Sequence, residues 1–339
     1  MKAFVLKAGG TSMDDIRMVE LEKPQAGPGE ILVRMHAASL NFRDLGIIVG
    51  KYFGGPVQKD TILTSDGAGE VEAVGEGVTR FKAGDRVAGT FFQGLADGPA
   101  NPMVNPALGH SADGALTEYM VLKEGDAVML PNNLSYKEGA CLPCAALTAW
   151  HAMMEAGRPV AKGDTVLLLG TGGVSMFGLQ FAKAVGAKAI ITSSSDEKLA
   201  RAQSLGADIL INYKQHPDWE KEVRKLTDGK GVDCVVEVGG VGTISKSMEC
   251  LGLGAKIGMI GVLAGPEGEC NPRSLMMTGS AIHGIFVGNR RMFEEMNHAI
   301  EVHDIHPVID KVFDFEDSLE AIGHFKSQAH LGKVVIRIG

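Results

Sequence analysis

The sequence predicts an α/β protein in which a doubly wound parallel sheet is joined to a second, mostly-β part. Two observations predict it. From about Thr165 onward, short apolar runs alternate with helix-like stretches, the pattern of a parallel sheet with crossover helices. The first 130 residues instead read as mostly strand. A chain of 339 residues is long enough for about two domains.

Residues 1–7 form a short apolar stretch with a lysine near each end, which reads as a strand and not as a signal peptide. Residues 31–37 have strand length, and residues 69–75 largely alternate apolar with polar, as a half-buried strand does. Residues 85–89 and 117–122 are similar. Between them, residues 91–114 are rich in Gly, Pro, Asn and Asp: a long loop, either a binding or lid element or a plain surface excursion. Residues 136–152 are helix-like, interrupted at Pro143. Thr165–Leu169 is continuously apolar, as a strand buried on both faces must be. A helix over 176–185, a strand over 189–192 and a helix over 196–205 follow, the last with Asp196 and Glu197 in its first turn, where they suit the helix dipole. Then come a strand over 209–211, an amphipathic helix Trp219–Leu226, and strands over 235–238 and 256–260. The last forty or so residues return to a mixed pattern. The expected division is 1–130, 131–290 and 291–339, with the outer two forming one domain around the inserted sheet.

Composition narrows the function. A net charge of −8 is a poor basis for nucleic-acid binding. No apolar run is long enough to span a bilayer, so a cytoplasmic protein acting on a small molecule is expected. The five cysteines are an odd count in a long chain, which reads as reduced thiols and not as a disulfide framework.

After the first buried strand comes Gly170-Thr171-Gly172-Gly173-Val174-Ser175. A Gly-rich turn between strand and helix lets backbone N–H groups approach a pyrophosphate at the helix N-terminus. Gly170 and Gly172 fit the first two glycines of the dinucleotide fingerprint; Ser175, small, stands at the third. The end of the second strand selects the cofactor. An NAD site places Asp or Glu there for the ribose hydroxyls. Here Ser193 stands at that place, followed by Ser194, with Lys198 in reach. Hydroxyls and an amine suit the 2′-phosphate of NADP; NAD remains open if the strand runs on to Asp196.

These residues, together with Leu40-Asn41-Phe42-Arg43-Asp44, residues 65–71, residues 77–87 and residues 142–149, resemble the medium-chain dehydrogenase/reductase superfamily over nearly the whole chain. The resemblance implies a GroES-like catalytic domain beside a Rossmann domain, with the active site in the cleft between them. The zinc-dependent branch holds its catalytic metal with Cys, His and Cys; the matching positions here are Asn41, Ser65 and Cys144. The structural-zinc cysteines of that branch have no counterpart in residues 91–114. The chain therefore resembles the zinc-free, quinone-oxidoreductase-like branch. That resemblance implies Asn41, Tyr52 and Thr148 around nicotinamide and substrate, Lys198 and Tyr213 near the 2′-phosphate, Val262 and Val287 near the nicotinamide, and a homodimer. An apolar segment over 282–287, if an edge strand, would supply the pairing surface.

The expected activity is reduction of quinones or α,β-unsaturated carbonyls by hydride from NADPH, since neutral donors stabilise an oxyanion less than a metal does and favour electrophilic substrates. A zinc-independent alcohol or aldehyde oxidoreductase and a non-catalytic NADP-binding protein are the alternatives. Asp44 reads either as an acid/base group or as an ion-pair partner of Arg43. Cys141-x-x-Cys144 reads as two packed residues, and His303 with His306 as a solvated pair.

Overall fold

A computed structural model describes residues 1–261, 263 and 270–339. The chain forms two compact units. One is Met1–Leu147 with Val287–Gly339, and the other is Thr148–Phe286.

The first unit is built on a seven-stranded sheet. Its order is Ile309–Asp314, Lys333–Arg337, Glu30–Ser39, Asp66–Val74, Arg86–Gly89, Ala127–Met129, with Tyr119–Lys123 also paired to Glu30–Ser39. All pairs are antiparallel except Ile309–Asp314 with Lys333–Arg337. A separate three-stranded sheet, Ile16–Glu20, Lys2–Leu6 and Thr61–Ile62, lies outside the sequence expectation except for its central strand. Glu30–Ser39 is the axis of the unit. Gly69 is needed where its neighbour crosses it, because a Cβ there would fall 2.2 Å from the Arg34 carbonyl oxygen. The final strand pairs Val335 with Ser39, which brings the start of the C-terminal strand beside residues 40 and 41. Phe4, Leu6, Ile31, Val33, Ile47, Val87, Phe313 and Val334 belong to the core beneath.

The helix-like stretch after Ser135 is broken into Tyr136–Gly139, Leu142–Ala146, Leu147–Trp150 and His151–Glu155. The second and fourth pieces are π-helical. Pro143 has no N–H to give to the preceding turn, so the helix cannot run through it as a regular α-helix. The unit boundaries fall at Leu147/Thr148 and Phe286/Val287, so residues 131–147 pack with the first unit.

The second unit is a six-stranded sheet, parallel throughout. Its order is Ile209–Asn212, Lys188–Ser193, Thr165–Leu169, Val232–Glu237, Leu251–Met259, Ala281–Gly284. This is the doubly wound order, whose direction reverses between Thr165–Leu169 and Val232–Glu237. Leu167, Ile190, Val235 and Ile257 lie in its core, fully buried. Ala281–Gly284 is an edge strand, shorter than the apolar run that suggested it. Helices Val241–Glu249 and Arg273–Thr278 were not anticipated. Among the described residues, no helix is long and apolar enough to cross a membrane.

Candidate active site

In the first unit, the helix Phe42–Ile48 begins at Asn41, where the chain leaves extended geometry. Asp44 stabilises this start by accepting a hydrogen bond from the Asn41 backbone N–H at 2.8 Å. Asp44 and Arg43 are both buried and form an ion pair, 3.6 Å between Oδ1 and Nη1. Burial outweighs the pull of Arg43 and the Asn41 amide, and pushes the Asp44 carboxyl up to about 6. Arg43 also donates to the Leu108 carbonyl at 2.8 Å. Its guanidinium carbon sits 4.8 Å from the Tyr52 ring centre and 4.6 Å from that of Phe91. One cation thus ties the helix to the Tyr52 segment and to the long loop. Tyr52 is half-buried, with His110 edge-on at 5.3 Å between ring centres. The loop over residues 91–114 is pinned further by Asn289 donating to the Gly98 carbonyl at 3.0 Å and by Arg291 to Asp97 at 3.1 Å.

Behind Asn41 lies a second charged pair. Lys333, 2% exposed, donates to Asn41 Oδ1 at 2.6 Å and to the Leu40 carbonyl at 2.8 Å. It lies 3.9 Å from the carboxylate of Asp66, which is fully buried. Asp66 accepts from Ser65 Oγ at 2.8 Å and from the Cys144 backbone N–H at 3.1 Å. Burial raises the Asp66 pKa, against the lowering effect of Lys333. Burial also raises both thiols of the Cys-x-x-Cys pair, Cys141 to about 12 and Cys144 higher, with Asp66 adding to the rise at Cys144.

The residues at the three catalytic-zinc positions do not fit the ion. A zinc site of this kind needs three ligating side chains, with any thiol as thiolate. Here the Asn41 oxygen is taken by Lys333, the Ser65 hydroxyl is given to Asp66, and Cys144 is the one remaining side chain of a usual zinc-ligand type. An ammonium stands among them. Among the described residues, no group of three or more His, Cys, Asp or Glu is placed to hold a metal. His306 pairs instead with Glu138 at 2.7 Å on the surface.

In the second unit, Gly170 has φ of +74°, which only glycine adopts without strain. A Cβ at Gly172 would meet no protein atom within 4 Å, so open space lies above the turn. Gly172 caps the helix Gly173–Val185 without a side chain. The first N–H groups of that helix, which no intrahelical carbonyl can satisfy, therefore face outward at Gly173 and Val174. Ser175 is 1% exposed, and its hydroxyl donates to the Leu169 carbonyl at 2.7 Å; a small residue at the third fingerprint position packs helix against strand.

Ser193 closes the second strand, buried, with Ser194 half-buried after it. Asp196 lies beyond the strand in the first turn of the helix Asp196–Ser204, and its carboxylate accepts from Asn212 at 2.6 Å and Gln215 at 2.8 Å. That carboxylate is committed within the unit. Lys198 lies one turn further on, and its backbone N–H is capped by Ser195. Tyr213 follows the third strand, 40% exposed, its N–H bonded to the Ser193 carbonyl. Ser193, Ser194 and Tyr213 thus lie at the carboxyl ends of two paired strands, with Lys198 in the helix that follows the first of them. Thr148 is buried at the start of this unit. Val287, the first residue of the first unit's second segment, is buried with φ of +52°, a strained conformation for a β-branched side chain. Val262 lies outside the described residues.

A family model described as a zinc-binding dehydrogenase matches residues 173–301, and one described as an alcohol dehydrogenase GroES-like domain matches residues 27–132. The chain is 46% identical to a zinc-type alcohol dehydrogenase-like protein of Schizosaccharomyces pombe, covering 97% of this chain and 96% of that one. The chain belongs to the medium-chain dehydrogenase/reductase family. It is 34% identical to a quinone oxidoreductase of Pseudomonas aeruginosa, over 80% of this chain and 76% of that one. Among solved structures, a Sinorhizobium meliloti 1021 protein described as an alcohol dehydrogenase superposes with a TM-score of 0.91 at 40% identity, covering 99% and 98% of the two chains. A mycobacterial protein complexed with NADPH superposes with a TM-score of 0.82 at 26% identity, covering 99% and 100%. The chain is an oxidoreductase of this family, and its cofactor is a pyridine nucleotide.

Asp66, Lys333 and His110 escaped the sequence reading. Lys333 opens the apolar run Val334-Val335-Ile336, and a lysine at a strand end reads as solvated. Its place at the start of a strand whose next three residues are fully apolar was the only local signal.

Proposed function

We propose that the chain is a zinc-independent, NADP(H)-dependent oxidoreductase that reduces quinones or α,β-unsaturated carbonyls. The observation that carries this reading is the side-chain set around Asn41. An amide whose oxygen is held by Lys333, a serine hydroxyl bonded to Asp66 and a single thiol stand where the zinc-dependent branch has its ligands. When bound, the nicotinamide supplies or takes hydride. The chain supplies orientation and hydrogen-bond donors. Asn41, Tyr52 and Thr148 are the proposed donors to the substrate oxygen as charge develops there. Neutral donors favour substrates that are already electrophilic, which is why quinones and enones are preferred to simple alcohols.

The preference for NADP is supported by the commitment of Asp196 to Asn212 and Gln215. It leaves Ser193, Ser194, Lys198 and Tyr213 to hold a 2′-phosphate. Gly170, Gly172, Gly173 and Val174 would hold the pyrophosphate, and Val262 and Val287 the nicotinamide. A homodimer through the edge strand Ala281–Gly284 belongs to the same reading, because an unpaired strand edge invites a second chain. A monomer in light scattering would contradict it. The free cysteines accord with a cytoplasmic location.

The test is oxidation of NADPH and NADH, with and without chelator, against quinones, enones and aldehydes. Chelator-insensitive NADPH turnover on quinones or enones is expected. Activity that disappears with chelator would overturn zinc independence, and turnover on aldehydes alone would overturn the substrate class.

A further inference from the structure

Lys333 is given no role in catalysis by the reading above, yet it is a buried cation with two short hydrogen bonds. Burying an ammonium is costly unless counter-charge and acceptors surround it. Leu40 and Asn41 supply the acceptors and Asp66 the charge.

The bond to Asn41 has a chemical consequence. An ammonium can only donate, so the amide must turn its oxygen toward Lys333. The amide NH2 is thereby turned away from the lysine. Nδ2 faces Asp66, which can take one of its two hydrogens; it is buried and makes no hydrogen bond of good geometry. A buried donor left without an acceptor is unfavourable in the resting protein and is satisfied when an oxygen arrives. Were the amide reversed, it would present an acceptor to a substrate oxygen and repel it. The second consequence concerns charge. Lys333 and Arg43 face Asp66 and Asp44, two cations against two carboxylates. This cluster has no surplus negative charge to draw in a divalent ion.

We propose that Lys333 is a positioning residue. Its ammonium provides a fixed positive charge beside the positions where the zinc-dependent branch holds its metal, and it sets the Asn41 amide so that an N–H not used by Asp66 is left for the substrate oxygen. This rests on the reading of Asn41 as a donor.

The experiment compares Lys333→Met, Lys333→Arg, Asn41→Ala and the double variant Lys333→Met/Asn41→Ala. Lys333→Met lowers kcat by ~100-fold, the size of a lost oxyanion donor. KM and the NADPH dissociation constant, from fluorescence titration, stay within ~3-fold, because only the transition state uses the oriented amide. The double variant is no slower than Asn41→Ala, since Lys333 acts through that residue. Lys333→Arg keeps the charge but shifts it, and loses ~10-fold in kcat at constant KM. It carries the test should Lys333→Met not fold. A folded variant of either kind with wild-type kcat, or full additivity in the double variant, would overturn the proposal.

A second arm separates this proposal from the function it rests on. Should wild type turn over neither quinones nor enones, or Asn41→Ala leave kcat unchanged, the reading of Asn41 fails. Cobalt(II) then probes Lys333 by itself. Asn41→Cys/Ser65→His restores the ligand types beside Cys144, yet takes up no cobalt while Lys333 is present. Adding Lys333→Met gives cobalt–thiolate absorption. Absorption in the variant that retains Lys333, or none in either variant, overturns the substitution of metal by ammonium.

Discussion

The two units bury charge in different ways. In the second unit, the carboxylate of Glu237 is fully buried at the end of Val232–Glu237. It accepts from the Gly239 and Gly240 backbone N–H groups at 2.8 and 3.0 Å, from Thr243 Oγ1 at 2.7 Å and from Ser247 Oγ. All four donors lie within ten residues along the chain, in the turn that leads into the helix Val241–Glu249 and in that helix. In the first unit, Asp66 is satisfied from residue 144 as well as from its neighbour Ser65, Arg43 from residue 108 and Asn41 from residue 333. A locally satisfied charge forms with its own turn. A charge satisfied from the far end of the chain is stable only after the whole unit has closed. Lys256 is an exception in the second unit: its ammonium, held below its usual pKa by burial, caps the carbonyls of Met153 and Ala156.

The comparison can be broken most directly at Asp66. Asp66→Ala leaves the Lys333 ammonium without its counter-ion and should cost about 4 kcal/mol, the usual penalty for splitting a buried pair. A urea unfolding midpoint close to wild type would show that the pair is inert.

Asp44 gives the next largest effect, through pH. Its folded pKa is raised to about 6 from 3.8. The folded state therefore holds a proton that the unfolded state releases, and Asp44 withdraws stability as pH rises across that window. The full difference corresponds to up to about 3 kcal/mol. Asp44→Asn is neutral throughout and lacks this slope. Relative to that variant, wild type gains stability as pH falls from about 6 toward 4. Parallel stability curves for the two proteins would contradict the assignment.

Gly172 sharpens the contrast from the other side. A valine there meets open space within the protein, so the melting temperature should hardly move. The same side chain fills the approach to the helix N-terminus, and NADPH affinity should fall by ~100-fold. The smallest effect is at Ser195, whose hydroxyl caps the helix Asp196–Ser204. Ser195→Ala should cost about 1 kcal/mol, read as a modest shift in unfolding midpoint.

The same contrast explains what could be read from the sequence. The six-stranded sheet and its glycine turn were legible because each strand, turn and helix is a local pattern, and because Ser175 only had to be small. Trp219–Leu226 ends where its amphipathic pattern does. The strands over 235–238 and 256–260 proved to begin earlier, at Val232 and Leu251, because Gly252 and Gly254 mask the second strand's start. Asn41 was singled out by its flanking motif. Its partners were not, since nothing near residue 41 indicates that residue 333 will cross behind it. The ion pair of Asp44 with Arg43 was legible as one of two alternatives, and adjacency in sequence made it so.

Burial of the thiols has a practical consequence. Cys141, Cys234 and Cys250 are fully buried and Cys144 largely so, all four held protonated by their surroundings, while Cys270 is exposed. Alkylating reagents attack thiolates at the surface. The native protein should therefore accept a maleimide dye once per chain and, after denaturation, five times. Evolution has left this enzyme a single chemical handle, so a fluorophore or spin label can be attached to the wild-type chain without first removing any cysteine.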